Sequence, residues 1–196
     1  MAEAVVARSE LILGGQKSGK SRRAQDLAEA WLAAGDGRGS SLIATAMATD
    51  DEMRVRIARH QADRARQLPQ MVTVEEPLAL PECIVRHSRP DTLVVVDCLT
   101  LWLTNLIWPG HRSLLPAGQE PPDTVRTLDA LLDAVCGAPG PLVLVSNEIG
   151  LGVIPMGREV RQFVDSLGIL NQRVGGVCAR VTWMAAGLPL FLKDPP

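Results

Sequence analysis

Short apolar runs alternate along the chain with longer stretches in which apolar residues recur every three or four positions. The runs ELILGG (10–15), SLIATA (41–46), MVTVEE (71–76), TLVVVD (92–97), PLVLVSN (141–147), ARVTWMAAG (179–187) and LPLFLK (188–193) predict seven strands. Several lack polar alternation, as strands covered on both faces of a parallel sheet do. Helical spacing fills the intervals, over 20–34, 50–66, 78–88, 98–108, 123–136 and 157–177. This strand–helix repeat predicts an α/β fold with a mostly parallel sheet. WPGHRSLLPAGQEPPD (108–123) breaks the rhythm, because its prolines and glycines exclude regular structure. It is expected to be a surface loop within one domain spanning 1–196, since the strands on either side belong to one sheet.

Composition narrows the function classes. The chain is 46% hydrophobic and 21% charged, the balance of a globular protein. A net charge of −2 leaves no electrostatic footprint for nucleic acid or an anionic membrane. No apolar run approaches the ~18 residues that span a bilayer, and the first ten residues do not read as a signal peptide. Cys83, Cys98, Cys136 and Cys178 are far apart without a C-x-x-C pair, which suits reduced thiols in a cytoplasmic protein.

The strongest chemical signal follows the first strand. GGQKSGKS fits G-x-x-x-x-G-K-[ST] over Gly14, Gly15, Gln16, Lys17, Ser18, Gly19, Lys20 and Ser21. The glycines let successive N–H groups turn inward on a phosphate, Lys20 supplies positive charge, Ser21 offers a hydroxyl to Mg²⁺, and the helix that follows adds its partial positive end. The strand TLVVVD ends in Asp97, the expected second metal partner; alternatively, Asp97 caps the next helix. Ligands of parallel sheets lie beyond the carboxyl ends of the strands, which brings Thr45, Glu75 and Asn147 toward the site.

A second signal lies in TDDEMRVRIARHQADR (49–64). Thr49 and Glu52 form a capping box, so a helix is predicted from about Asp50. At ~100° per residue, Met53, Ile57, His60 and Arg64 share one stripe, with Arg56 beside it. His60 reads either as a border histidine next to a solvated arginine face, or as a neutral imidazole kept unprotonated by the guanidinium groups and able to take a nucleotidyl group.

Together, GGQKSGKS, IATAMATDDEMRVRIARHQADR, VVVDCLTLWLTNL, LVLVSNEIGLGVIP and LNQRV…AGLPLFLK resemble the bifunctional adenosylcobinamide kinase / adenosylcobinamide-phosphate guanylyltransferase family, in order from Leu11 to Lys193. The resemblance implies a RecA-like P-loop three-layer sandwich, its mostly parallel sheet closed by a C-terminal antiparallel strand. It implies that ATP or GTP phosphorylates the aminopropanol hydroxyl of adenosylcobinamide. GMP is then transferred from GTP to that phosphate through a guanylylated His60. It further implies nucleotide contacts at Thr45, Ala46, Met47, Gln61, Ala62, Asp63, Arg64, Glu75 and Asp97, a catalytic Lys20, Mg²⁺ at Ser21 and Asp97, and a homotrimer. The chain departs from the family pattern at Lys17, in RARQLPQM after Asp63, and at Met156-Gly157. The competing expectations are a P-loop small-molecule kinase in which His60 is structural, and an NTP-driven switch, against which the acidic balance and 3% aromatic content argue.

Overall fold

The computed structural model describes residues 5–48, 51, 53–55, 58, 62, 66, 68–108 and 123–194. Among them run the strands β1 (Ser9–Gly14), β2 (Gly39–Ala44), β3 (Met71–Glu75), β4 (Thr92–Asp97), β5 (Leu142–Val145), β6 (Arg180–Ala185) and β7 (Leu188–Lys193). The helices are α1 (Lys20–Ala33), α2 (Leu80–His87), α3 (Leu99–Ile107), α4 (Thr124–Gly137) and α5 (Arg158–Val177). All seven expected strands form one sheet in the order β3-β2-β4-β5-β1-β6-β7. Every pairing is parallel except β6 with β7, the antiparallel hairpin at the C-terminal end.

The period of two in the central strands divides the interior into two cores. Leu11, Val94, Val96, Leu142 and Leu144 pack with Ile84, Trp102, Leu131, Leu167 and Leu170 on one face. Ile12, Leu93, Val95, Val143 and Val145 pack with Ala24, Leu27 and Ala28 of α1 on the other. This is why the strand runs lack polar alternation: both pleat faces are covered, and the result is helix, sheet and helix in three layers.

Element ends follow local hydrogen bonds. α2 begins two residues later than its periodicity suggested, because the Glu76 carboxylate takes the N–H groups of Leu78 and Ala79. Asp123 caps α4 by accepting from Val125 and Arg126. Of the helix predicted over 50–66, positions 51, 53–55, 58, 62 and 66 are helical. His60, Arg56, Gln61, Asp63 and Arg64 lie outside the described residues, as does the loop from 109 to 122.

Candidate active site

β1 delivers Gly14 to the carboxyl edge of the sheet, where the chain turns through Gly15–Gly19 into α1. Lys17 (φ 56°) and Gly19 (φ 105°) take positive φ, and Ser18 N–H closes the turn on Gly15 O at 3.3 Å. The terminal hairpin holds this loop from the side. Gly187 N donates to Ser18 O at 2.9 Å. A Cβ on Gly19 would lie 3.0 Å from Gly187 Cα, and one on Gly14 would lie 2.5 Å from Met184 O. Close packing against β6 and its turn therefore demands glycine at both positions.

Lys20 is buried and folds back on the loop, donating to Gly14 O at 3.0 Å and Gly15 O at 2.6 Å. Burial lowers its pKa from the ordinary 10.5, with Cys98 and Asp97 pulling the other way. Gly15, Gln16 and Lys17 stand exposed at the tip, and Ser18 Oγ is buried without a partner among the described residues.

Ser21 Oγ donates to Asp97 Oδ2 at 3.3 Å, so the two residues read as metal partners face each other. Asp97 does not cap α3, whose N-cap is Cys98 with no side-chain cap. A hydroxyl and a carboxylate are hard oxygen donors of the kind Mg²⁺ accepts; such an ion keeps waters and takes its other ligands from phosphate. The donor set therefore fits the ion. Among the described residues no group of three or more His, Cys, Asp or Glu could hold a metal by itself.

Thr45 is fully buried, and its hydroxyl is committed to the chain. Oγ1 donates to Cys98 O at 2.7 Å and accepts from Cys98 N at 2.9 Å, while Thr45 N donates to Asp97 O at 3.2 Å. The side chain thus fixes the backbone that carries Asp97. Buried Asn105 supports the same turn, giving Nδ2 to Thr45 O at 2.8 Å and to Pro77 O at 3.1 Å. Burial of the Cys98 thiol pushes its pKa up to about 12, with Asp97 adding to the shift. It stays protonated at neutral pH.

Ala46 and Met47 follow Thr45 and are half-buried. Glu75 ends the edge strand β3, four strand spacings from β1, or about 19 Å across the sheet. Asn147 follows β5, between Asp97 and the phosphate loop in the sheet order. Its N–H donates to Thr100 Oγ1 at 2.8 Å and its carbonyl accepts from Asn171 Nδ2 at 3.0 Å. Arg161 donates to the carbonyls of Pro155 and Met156. Ala62 is helical and exposed, and the other expected contacts of that helix lie outside the described residues.

Sequence reasoning missed Glu10. This buried carboxylate accepts from Arg23 Nε (3.0 Å), Thr182 Oγ1 (2.7 Å) and Arg180 (3.4 Å), locking α1 and β6 to β1 just upstream of the loop. Its partners are remote in sequence, and a glutamate opening a strand carries no signal of them.

A glycine loop that opens a helix, with its serine 3.3 Å from an acidic strand tip, is the apparatus of P-loop nucleotide-dependent transferases. That is the class the fold and site define. The family model described as Cobinamide kinase / cobinamide phosphate guanyltransferase matches residues 10–192, and the chain belongs to this family. It is 45% identical to the bifunctional adenosylcobalamin biosynthesis protein CobP of Pseudomonas aeruginosa, over 95% of this chain and 98% of the relative. It is 31% identical to the bifunctional adenosylcobalamin biosynthesis protein CobU of Escherichia coli, over 93% of this chain and 98% of that one. The CobU of Salmonella typhimurium is 32% identical with the same coverage. In fold, the chain is similar to the flagellar accessory protein FlaH from Methanocaldococcus jannaschii, with a TM-score of 0.52 at 10% identity, covering 97% of this chain and 80% of that one. No helix among the described residues is long and apolar enough to cross a membrane.

Proposed function

We propose that the chain phosphorylates the aminopropanol hydroxyl of adenosylcobinamide and then converts the phosphate to adenosylcobinamide-GDP. Membership of the kinase/guanyltransferase family supports both reactions. The observation that carries the phosphoryl step is the convergence of Lys20, the glycine loop and the Ser21–Asp97 pair at one edge of the sheet. Loop N–H groups and Lys20 hold the β- and γ-phosphates of ATP or GTP. Lys20, bonded to two loop carbonyls here, exchanges them for phosphate oxygens when nucleotide binds. Ser21 and Asp97 would hold Mg²⁺, which would supply positive charge against the phosphates. The substrate hydroxyl displaces the nucleoside diphosphate from the γ-phosphorus.

In the second reaction His60 attacks the α-phosphorus of GTP and releases pyrophosphate, forming a phosphoramidate. An oxygen of adenosylcobinamide phosphate then displaces the imidazole and leaves with GMP. Gln61, Ala62, Asp63 and Arg64 would contact the guanine nucleotide, with Thr45, Ala46, Met47 and Glu75 toward the β2 and β3 end of the site. We further propose one catalytic domain, a cytoplasmic enzyme, and a homo-oligomer, a trimer by family resemblance.

The test is to incubate the purified chain with Mg²⁺, GTP and adenosylcobinamide and follow corrinoid products by mass. Wild-type chain should yield the phosphate and then the GDP conjugate, and Lys20→Ala should yield neither from adenosylcobinamide. Full phosphorylation by Lys20→Ala would remove that residue from the mechanism. Accumulation of the phosphate alone by wild-type chain would leave a plain kinase.

A further inference from the structure

The loop between β5 and α5 is unlike an ordinary connection. Leu151, Val153, Ile154 and Met156 are each between 78% and 96% exposed, and Ile149 is exposed beside them. A cluster of this kind costs solubility and marks a surface that something else covers. Both ends of the loop are nevertheless pinned. Glu148 N donates to Gly14 O at 3.1 Å, tying the root to the phosphate loop, and the Glu148 carboxylate accepts from Gly150 N. At the far end Arg161 holds the carbonyls of Pro155 and Met156. Leu151 is three residue steps from Glu148, a reach of at most about 11 Å. The apolar segment therefore begins beside the mouth of the phosphate site.

We propose that residues 151–156 form the docking surface for the corrin macrocycle of the acceptor substrate. This rests on the functional reading above. The acceptor hydroxyl must meet the γ-phosphate at the glycine loop, so the rest of that molecule must lie against whatever borders the loop. The nucleotide is polar and charged, and Lys20, Ser21 and Asp97 suit it. A macrocycle studded with methyl groups suits the exposed apolar side chains of this segment. Gly152 leaves the approach open, with nothing within 4 Å of where a Cβ would stand. The position explains why the side chains are exposed on the free chain while the loop ends are bonded: the surface is held ready and is covered only when the acceptor arrives.

The test uses the full chain with Val153→Ser/Ile154→Ser and, separately, Met156→Ser. Equilibrium dialysis measures cobinamide and GTP binding, and sedimentation measures assembly. The double variant should bind cobinamide about tenfold more weakly or worse, with GTP affinity and sedimentation unchanged. Cobinamide affinity within about twofold of wild type overturns the inference. A change in assembly state overturns it too, and assigns the loop to contact between copies of the chain. A wild-type chain that neither binds nor phosphorylates cobinamide overturns the functional reading itself, which the variants alone cannot do.

Discussion

Replacing Thr45 by valine keeps its shape and removes one oxygen. That oxygen accepts from Cys98 N at 2.9 Å and donates to Cys98 O at 2.7 Å, in a side chain with no solvent exposure. The two losses are unequal. Cys98 O keeps a second donor, Trp102 N at 3.1 Å, whereas no other bond to Cys98 N is present among the described residues. The valine chain therefore carries one buried, unpaired N–H. Such a group costs about 1–3 kcal/mol. Taking about 2 kcal/mol, Tm should fall by roughly 4–8 °C in a chain of this size. The functional effect is separate. Cys98 follows Asp97, so a displaced peptide moves the carboxylate that faces Ser21. The Mg²⁺ concentration for half-maximal phosphorylation should rise, while Thr45→Ser, which keeps the oxygen, should restore much of both properties. Urea denaturation and a Mg²⁺ titration of kinase activity read the two effects. A valine chain within about 0.5 kcal/mol of wild type, with an unchanged Mg²⁺ profile, would refute the assignment of Thr45 to the Asp97 backbone.

Gly19→Ala should destabilise the chain by about 1–3 kcal/mol, because φ 105° disfavours a side chain and the new Cβ meets Gly187 Cα at 3.0 Å. Nucleotide affinity should fall with it, and an alanine chain matching wild type in both melting and nucleotide titration would exclude the hairpin clamp. The lowered pKa of Lys20 predicts a pH dependence with a definite sign. The free enzyme loses the Lys20 proton below the ordinary 10.5, so nucleotide affinity should weaken as pH rises through that depressed value. The stability of the free chain moves the other way over the same window: the unfolded lysine still holds its proton there, so stability contributed by this group rises with pH. Isothermal titration from neutral to alkaline pH checks the binding arm; affinity flat up to the ordinary lysine range would contradict the burial of the charged amine.

The fold was legible because its information is local. Runs such as TLVVVD and PLVLVSN state both their strand length and their burial on two faces, and each returned as a central strand within a few residues. The phosphate loop was legible because the glycine, lysine and serine requirements fall within eight consecutive residues. What escaped depends on contacts between distant parts of the chain. Thr45 stood in the right place for a ligand contact, but its hydroxyl is taken by a peptide 53 residues away. Nothing local in the sequence marks the partners of Arg161, which donates to the carbonyls of Pro155 and Met156. Arg173 bridges α5 to Asp129 of α4 at 2.6 Å, across 44 residues of sequence. Ala186 and Gly187 were expected to end the strand ARVTWMAAG, yet they form the turn between β6 and β7, and Gly187 N holds the phosphate loop. No periodicity encodes such pairings, because they arise only when the sheet brings its strands into order.

His60 is the proposed covalent carrier of GMP. The most direct measurement is incubation with Mg²⁺ and GTP labelled at the α-phosphate, followed by denaturation, acid and base treatment, and peptide mapping. One acid-labile, base-stable GMP adduct is expected on the peptide containing His60, absent from His60→Ala. An unlabelled chain that still binds GTP and still makes adenosylcobinamide-GDP would contradict it, because transfer would then proceed without the covalent histidine.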